Sequence, residues 1–170
     1  SEIDVVPSWY FRKYKFKYVP LIYTEGIVLW SERFEKVINY PIQHYDNGVN
    51  KNDRTRRRYK RLVRIIKNLK CEMEESGYYN NPNITSFLIE SLVYNMPDSK
   101  FLLENEYYDW NDIVKNFIKF IYKSTKEERN DCERWKEVSE QLPLMWNHKW
   151  TKKDVFDFSI RLIGYLEYDK

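Results

Sequence analysis

Apolar and polar residues alternate with a helical period through most of the chain beyond residue 50. In the stretch 51–73, apolar side chains gather on one side of a helix drawn at about 100° per residue, and basic side chains gather on the other. The pattern predicts one long helix over 51–73 whose apolar side packs on a core. That side carries Tyr59, Leu62, Ile65, Ile66, Leu69 and Met73.

The same period predicts three further helices, at 85–95, 110–122 and 152–168. Gly77 is placed to end the long helix, because glycine adopts the left-handed conformation of a helix C-cap without steric cost. Thr151 is placed to cap the last helix through its side-chain oxygen. The second half of the chain is therefore predicted to be helical.

The beginning of the chain carries a strand pattern instead. Residues 1–7 alternate and are rich in β-branched side chains, and further strands are predicted at 17–23 and 26–30. A strand that begins at residue 1 needs a neighbour for its backbone N–H and C=O groups. We therefore expect the chain to be a piece of a longer polypeptide whose missing strands precede residue 1.

Two stretches near these strands lack a regular period. The aromatic and basic stretch 9–18 is predicted as a connection or the flank of a hairpin. Residues 39–52 contain the turn residues Pro41, Asn47 and Gly48, so they are predicted as a loop that leads into the long helix.

The predicted fold class is α+β and mostly α. Residues 1–50 are expected to form the end of a sheet and a connecting loop, and residues 51–170 a helical bundle built on the long helix. With 42% apolar and 18% aromatic residues in 170, the chain has ample material for a core. The four glycines cannot assemble a glycine-rich phosphate loop, and the two cysteines form no zinc pattern or disulfide framework. No apolar run has the length of a membrane span and no signal peptide pattern opens the chain, so we expect a cytoplasmic protein without a membrane partner.

The formal net charge of +3 is small, but nine Lys or Arg residues lie between Arg54 and Lys70 with no carboxylate among them. One interpretation is a solvated basic face. The other is a phosphate site at Arg64 and Lys67, which are spaced i, i+3 and point the same way from adjacent turns. A nucleoside triphosphate and a nucleic-acid backbone would suit these two cations equally. The residues assigned to solvated charge are Arg54, Arg56, Arg57 and Arg58.

Two other polar residues are weighed in the same way. Ser86 stands at the start of the second helix, where free amides favour an anion, although an ordinary helix cap explains a serine there equally well. His44 lies in the predicted loop, and the sequence offers no partner that would make a lone histidine a catalytic base.

Several short stretches, in this order and spacing, resemble the C-terminal half of the bacterial CD-NTase-type nucleotidyltransferases, relatives of oligoadenylate synthetase and cyclic GMP-AMP synthase. The resemblance covers residues 1 to about 100. The matching stretches are Asp4-Val-Val-Pro, Asn39-Tyr-Pro with His44 and Asn47-Gly48, Lys51-Asn52 with Thr55, Tyr59 to Lys67, Ser86 to Glu90, and Tyr94-Asn-Met-Pro97.

The resemblance implies nucleotidyl transfer between nucleoside triphosphates, with two Mg²⁺ ions held by three carboxylates. Asp4 resembles the third of these carboxylates, which makes it the catalytic and metal-binding residue that the resemblance implies. The residues that match the family's nucleotide contacts are Arg64, Lys67 and Ser86, with Lys51, Asn52 and Thr55 as weaker matches.

The sequence lacks the Gly-Ser segment and the Asp-x-Asp strand that supply the family's other two carboxylates. The resemblance therefore implies the triphosphate-binding helical half of a synthase that makes cyclic or linear nucleotide second messengers in antiviral defence. Its expected partners are nucleoside triphosphates and an N-terminal nucleotidyltransferase segment without which it is inactive, and nucleic acid is retained as a candidate activator. The alternative is a non-enzymatic helical module that binds nucleic acid or another protein.

Overall fold

The computed structural model of the protein describes residues 7–14, 22–30, 35–102, 109–145 and 149–168. The strand predicted at 1–7 lies outside the described residues except for Pro7, and so does Asp4. Most of the strand predicted at 17–23 also lies outside them.

The described residues near the start of the chain form a three-stranded antiparallel sheet in the order β1-β2-β3. β1 is Trp9–Tyr14, β2 is Tyr23–Trp30 and β3 is Lys36–Asn39. Val28 of β2 is buried between both neighbours, because it pairs with Trp9 on one side and with Ile38 on the other. The stretch 9–18 therefore does contain a hairpin flank, β2 contains the strand predicted at 26–30, and β3 was not predicted.

A first helix, α1, occupies Pro41–Arg54, where the turn residues predicted a loop. The loop prediction at 39–52 is wrong because the residues that suggested turns, such as Pro41 and Asn47, are compatible with a helix here. Pro41 stands in the first helical turn, where its missing N–H costs no hydrogen bond. The side-chain amide of Asn47 donates to the backbone oxygen of Val138 at 2.9 Å, so its polarity serves a tertiary contact rather than a turn.

The long helix predicted at 51–73 is two helices, because α1 ends at Arg54 and α2 spans Arg58–Glu75. Between them, Arg56 and Arg57 adopt left-handed conformations with φ of 52° and 63°. The Thr55 hydroxyl donates to the Lys51 backbone oxygen at 2.8 Å and accepts from the Tyr59 amide at 3.1 Å. A side-chain oxygen therefore satisfies backbone groups on both sides of the break.

The remaining helices follow the prediction closely. They are α3 at Ser86–Asn95, α4 at Trp110–Thr125 and α5 at Lys152–Tyr165. Thr151 forms a capping box with Asp154 at the start of α5, and Gly77 has a φ of 69° after the end of α2. These caps could be predicted from the sequence because each depends only on residues close to it in the chain.

The core lies between α2, α3, α4 and α5, and it confirms the apolar side of the predicted long helix. Tyr59, Leu62, Ile66 and Met73 are fully buried, whereas Ile65 and Leu69 are partly buried against the same cluster. The largest fully buried side chains from the other helices are Leu88, Ile89, Leu92, Phe117 and Phe158. Among the described helices, none is long and apolar enough to cross a membrane.

Candidate functional site

Three helices meet at the carboxylate of Glu90 on α3. The His44 Nε2 atom of α1 lies 3.6 Å from Glu90 Oε1, and the Lys67 Nζ atom of α2 lies 3.7 Å from Glu90 Oε2. The three side chains are each about a quarter exposed, at 27% for His44 and Glu90 and 30% for Lys67. We call these three residues the Glu90 cluster.

The electrostatics of the Glu90 cluster favour an ionised carboxylate. The neighbouring His44 holds the pKa of Glu90 below its ordinary value against the opposing effect of burial, and Lys67 adds to the lowering. Beneath the cluster, the hydroxyl of the fully buried Tyr59 donates to the Glu90 backbone oxygen at 3.5 Å. Burial raises the pKa of Tyr59, so this phenol stays protonated.

Arg64 and Ser86 border the Glu90 cluster on the helices that carry it. Arg64 is exposed on the turn of α2 before Lys67, and no ion pair engages it within the described part of the chain. Ser86 is exposed at the first position of α3, one turn before Glu90, whereas the cap is the side chain of Thr85. Lys67 lies beside Glu90, and by helical spacing Arg64 is one turn from Lys67 and Ser86 one turn from Glu90, so the three predicted contacts all neighbour the Glu90 cluster.

The weaker predicted contacts lie elsewhere, at the turn between α1 and α2. The ammonium of Lys51, which is only 5% exposed, donates to the Met96 backbone oxygen at 2.6 Å and pairs with Asp98 at 2.7 Å. Burial lowers the pKa of Lys51, and Asp98 opposes that shift. Asn52 accepts from the Lys60 amide through its side chain, and Thr55 bridges the helix break. Nucleotide contact by Lys51, Asn52 and Thr55 remains a prediction, but their polar groups already have partners in the fold.

Of the four arginines assigned to solvated charge, Arg54, Arg56 and Arg57 are exposed, as expected, and Arg58 is buried. Arg58 donates to the Phe101 backbone oxygen, and Arg54 bonds to Asp98 at 2.8 Å. The assignment is therefore wrong for Arg58, because its guanidinium is buried against the core and donates to a backbone carbonyl there.

A cavity of about 370 Å³ adjoins the Glu90 cluster. It lies between the sheet, the start of α1 and the segment 137–139. Its wall includes Asn39, Tyr40, His44, Phe87, Glu137 and Ser139. His44 belongs to both the cavity and the cluster, and its ring lies 5.7 Å from that of Phe87. The cavity and the cationic surface are thus neighbours.

Glu137 is the unusual group of the cavity wall. Burial raises the pKa of Glu137 to about 7, with His44 and Lys149 opposing the shift. No hydrogen bond from the described residues reaches its carboxyl group. A carboxylic acid in this state can both donate and accept hydrogen bonds near neutral pH.

A second cavity, of about 840 Å³, lies between the end of α4 and the start of α5. Its wall mixes Lys126, Lys152 and Lys153 with Glu127 and Asp157. It contains none of the residues predicted to contact a nucleotide, and its charges of both signs favour no single class of ligand.

Residues 46–167 match the family described as the cGAS/DncV-like nucleotidyltransferase C-terminal helical domain. This stretch is well over half of the 170 residues. The chain belongs to this family. The resemblance to CD-NTase-type nucleotidyltransferases, predicted from short motifs, is thereby confirmed, and the match extends through the helical tail that the motifs did not cover.

Relatives of this CD-NTase chain are synthases of cyclic nucleotides. It is 39% identical over 168 residues to the cyclic dipyrimidine nucleotide synthase CdnE of Cecembia lonarensis. The match covers 98% of this chain and 55% of that protein. The structure of the Elizabethkingia meningoseptica CdnE cyclic dinucleotide synthase with GTP and Apcpp matches with a TM-score of 0.81 at 30% identity. That match covers 96% of this chain and 57% of the other.

A second solved structure, the Rhodothermus marinus CdnE c-UMP-AMP synthase with Apcpp and Upnpp, matches with a TM-score of 0.76 at 26% identity. The match covers 96% of this chain and 53% of the other. This CD-NTase chain therefore spans about half the length of the relatives it matches.

The predicted magnesium site is not tested by the described part of this CD-NTase chain. The residues in the described ranges contain no group of three or more His, Cys, Asp or Glu side chains that could hold a metal ion. Asp4, the predicted metal ligand, lies outside those ranges. The role of Asp4 with Mg²⁺ thus remains a prediction, and we derive no catalytic step from it.

Three residues of the site were assigned no functional role from the sequence, although His44 and Glu90 lie in the stretches that carry the family resemblance. Glu90 could have been found, because it is spaced i, i+4 from Ser86 and so lies on the same face of α3. His44 and Glu137 carry no such local signal. His44 meets Glu90 only through the contact of α1 with α3, and Glu137 belongs to an irregular segment whose path the sequence does not predict.

Proposed function

We propose that this chain is the triphosphate-binding helical half of a nucleotidyltransferase that makes nucleotide second messengers. The observation that carries the proposal is the contact of Lys67 on α2 with Glu90 on α3, with the exposed Arg64 and Ser86 one helical turn away on these two helices. The relatives that are named as cyclic nucleotide synthases, and the two related structures with nucleotide analogues, support it.

The chemistry of this surface suits a triphosphate. The Lys67 ammonium has three donors on a side chain that is 30% exposed, so donors remain for phosphate oxygens beside Glu90. Arg64 can form paired hydrogen bonds to two oxygens of one phosphate. The first amides of α3, next to Ser86, lie at a helix N-terminus, where the helix dipole favours an anion.

The adjoining cavity suits the nucleoside end of the same ligand. Its volume of about 370 Å³ lies within the range of small-molecule pockets. The exposed Tyr45 ring and the partly buried Phe87 ring offer surfaces for stacking, and Asn39 and Glu137 offer polar groups for the edge of a base. Because His44 lines both regions, one nucleotide can lie across them.

The transfer step itself is proposed to need carboxylates that this chain does not supply. The sequence contains neither the Asp-x-Asp nor the Gly-Ser segment of the family, so Asp4 would be a single ligand for Mg²⁺. We expect the chain alone, mixed with nucleoside triphosphates and Mg²⁺, to release no pyrophosphate above a blank. Pyrophosphate release by the isolated chain would contradict this part of the proposal.

Calorimetric titration of the chain with a non-hydrolysable triphosphate analogue tests the binding site. Replacing both cations, Arg64→Gln with Lys67→Gln, is expected to weaken binding by at least about tenfold, because two charge-assisted contacts are lost. The control removes the same charge from an exposed face of α4 with Lys119→Gln and Lys123→Gln and should bind like the wild type. Wild-type affinity in the first variant would refute the site. A large loss of stability in it would instead identify the two cations as structural partners.

The second candidate function is nucleic-acid binding. The exposed cations of the α1–α2 turn and of α2 favour it. These cations are Arg56, Arg57, Lys60, Arg61 and Arg64. This function predicts duplex binding whose affinity falls steeply with salt, and a flatter slope after Arg56→Gln with Arg57→Gln. The triphosphate proposal predicts saturable analogue binding that this second variant leaves unchanged. Titrations of the wild type and of this variant with the duplex and with the analogue therefore separate the two functions.

A further inference from the structure

We propose that Glu90 is a positioning residue that orients Lys67 and His44 for a bound nucleotide. This inference rests on the triphosphate site proposed above and assigns a role to a residue that is not itself expected to touch the ligand. It concerns the junction between the cationic surface on α2 and the cavity beside α1.

The geometry divides the two oxygens of one carboxylate between two helices. Oε2 faces Lys67 of α2 at 3.7 Å, and Oε1 faces His44 of α1 at 3.6 Å. Lys67 borders the surface proposed for phosphates, whereas His44 lines the cavity proposed for the nucleoside. One side chain thus sets the relative placement of groups that contact the two ends of one ligand.

The support beneath Glu90 distinguishes it from an ordinary surface ion pair. Its backbone oxygen accepts from the hydroxyl of the fully buried Tyr59, and its neighbours Ile89 and Ser91 are completely buried. By contrast, the pair of Arg129 and Asp131 joins side chains that are 63% and 56% exposed. Because its backbone is fixed, the Glu90 carboxylate can limit the rotamers of the long Lys67 side chain. An exposed carboxylate on a mobile side chain does not limit its partner in this way.

Glu90 also places a negative charge near the proposed phosphates. Its repulsion of the phosphates therefore opposes the benefit of orienting Lys67. If repulsion dominated, removing the charge would strengthen binding. The Lys67–Glu90 separation of 3.7 Å leaves the ammonium free to approach a phosphate while it stays beside Glu90. Orientation is therefore expected to outweigh repulsion, and removing the charge is expected to weaken binding.

A double-mutant cycle tests the coupling, with titration of the triphosphate analogue as the measurement. Glu90→Gln should weaken binding by about five- to tenfold in the wild-type background, and by less than about twofold when Lys67 is already Gln. Glu90→Asp, which keeps the charge on a shorter arm, should recover part of the loss. Unchanged or tighter binding by Glu90→Gln, or an equal loss in both backgrounds, would overturn the proposal.

A ligand-free measurement separates this inference from the triphosphate site itself. NMR relaxation of the Lys67 side chain should show a clear fall in order in Glu90→Gln, with thermal unfolding used to confirm that the fold is retained. An unchanged order would refute positioning whatever the nucleotide result. If Lys67→Gln alone binds the analogue like the wild type while the order still falls, the triphosphate site fails and the positioning of Lys67 by Glu90 stands.

Discussion

Glu137 places a carboxyl group in the wall of the cavity without a hydrogen bond from the described residues. Its pKa is about 7 in the folded chain, against an ordinary value of 4.5, and burial is the main cause. Between these two values the folded state holds a proton that the unfolded state has released. The folded state therefore loses stability as the pH rises from about 4.5 to about 7, and the loss is complete above that pH.

Glu137→Gln should remove this pH dependence because glutamine does not titrate. We expect the free energy of unfolding of the variant, measured relative to that of the wild type, to increase between pH 5 and pH 8, so the variant becomes relatively more stable. Urea unfolding at the two pH values is the measurement. Other titrating groups that lie far from Glu137 contribute to both proteins and largely cancel in the difference. A constant difference across the pH range would show that Glu137 does not titrate as described.

Asp98 is the counter-charge for the most deeply buried lysine that the structure describes. It accepts from Lys51 at 2.7 Å and from Arg54 at 2.8 Å. Burial alone would raise the pKa of Asp98, but these two partners hold it below its ordinary value. The ion pair ties the end of α1 to the turn after α3, and it gives Lys51 a structural role whether or not a nucleotide reaches it.

Asp98→Asn should leave the Lys51 ammonium buried without its counter-charge. We expect a loss of about 2 kcal/mol in the free energy of unfolding, below the usual range for fully buried pairs because Asp98 is one-third exposed. Asp131→Asn, which breaks the exposed pair with Arg129, is the matched control and should cost less than about 0.5 kcal/mol. Equal costs measured by urea unfolding would rule out a special role for the buried pair.

At the scale of the elements, the sequence predicted those helices whose signals are local. Thr151 and Gly77 mark helix ends through contacts within a few residues, and α3, α4 and α5 follow the apolar period. The break between α1 and α2 could not be predicted in this way. Its residues are arginines and a threonine rather than glycine or proline, and the left-handed turn at Arg56 and Arg57 depends on the hydrogen bonds of Thr55 and Asn52.

The left-handed turn between α1 and α2 predicts an unusual response to glycine. Arg57 has a φ of 63°, a conformation that costs a residue with a Cβ atom about 1 kcal/mol more than glycine. Arg57→Gly should therefore raise the free energy of unfolding by about 0.5 kcal/mol or leave it unchanged. Arg61→Gly, an exposed position inside α2, should lower it by about 1 kcal/mol. A loss of stability of the same size in both variants would contradict a left-handed Arg57.

The candidate site was predictable to the extent that it lies on one helix face. The spacing of Arg64 and Lys67 identified the basic side of α2, and Ser86 lies at the helix start where it was expected. The residues that join Lys67 in the Glu90 cluster, Glu90 and His44, belong to other helices. Glu90 meets Lys67 across a helix–helix contact, and His44 joins them only because residues 41–54 fold as a helix instead of a loop.

At the scale of the whole molecule, Gly26 determines how closely the sheet approaches α1. A Cβ atom at Gly26 would lie 2.7 Å from the backbone oxygen of Asn39 and 2.9 Å from the ring of Tyr40. Tyr40 is 4% exposed and directly precedes α1, and both Asn39 and Tyr40 line the cavity beside the Glu90 cluster. The absence of a side chain on β2 therefore sets the position of the cavity wall and of the helix that carries His44.

Gly26→Ala should destabilise the chain and disturb the cavity together, because the new methyl group meets backbone that cannot turn aside. We expect a loss of about 1–3 kcal/mol in the free energy of unfolding, with weaker binding of the triphosphate analogue. Gly164→Ala is the matched control. Its Cβ atom would lie 2.6 Å from the hydroxyl of Tyr78, the far end of a side chain that is 41% exposed and can move. Within α5 the alanine gains up to about 1 kcal/mol of helix propensity, so this variant should be neutral or more stable and bind normally. Similar results for the two variants in urea unfolding and titration would mean that the sheet is not held against α1 by the contact at Gly26.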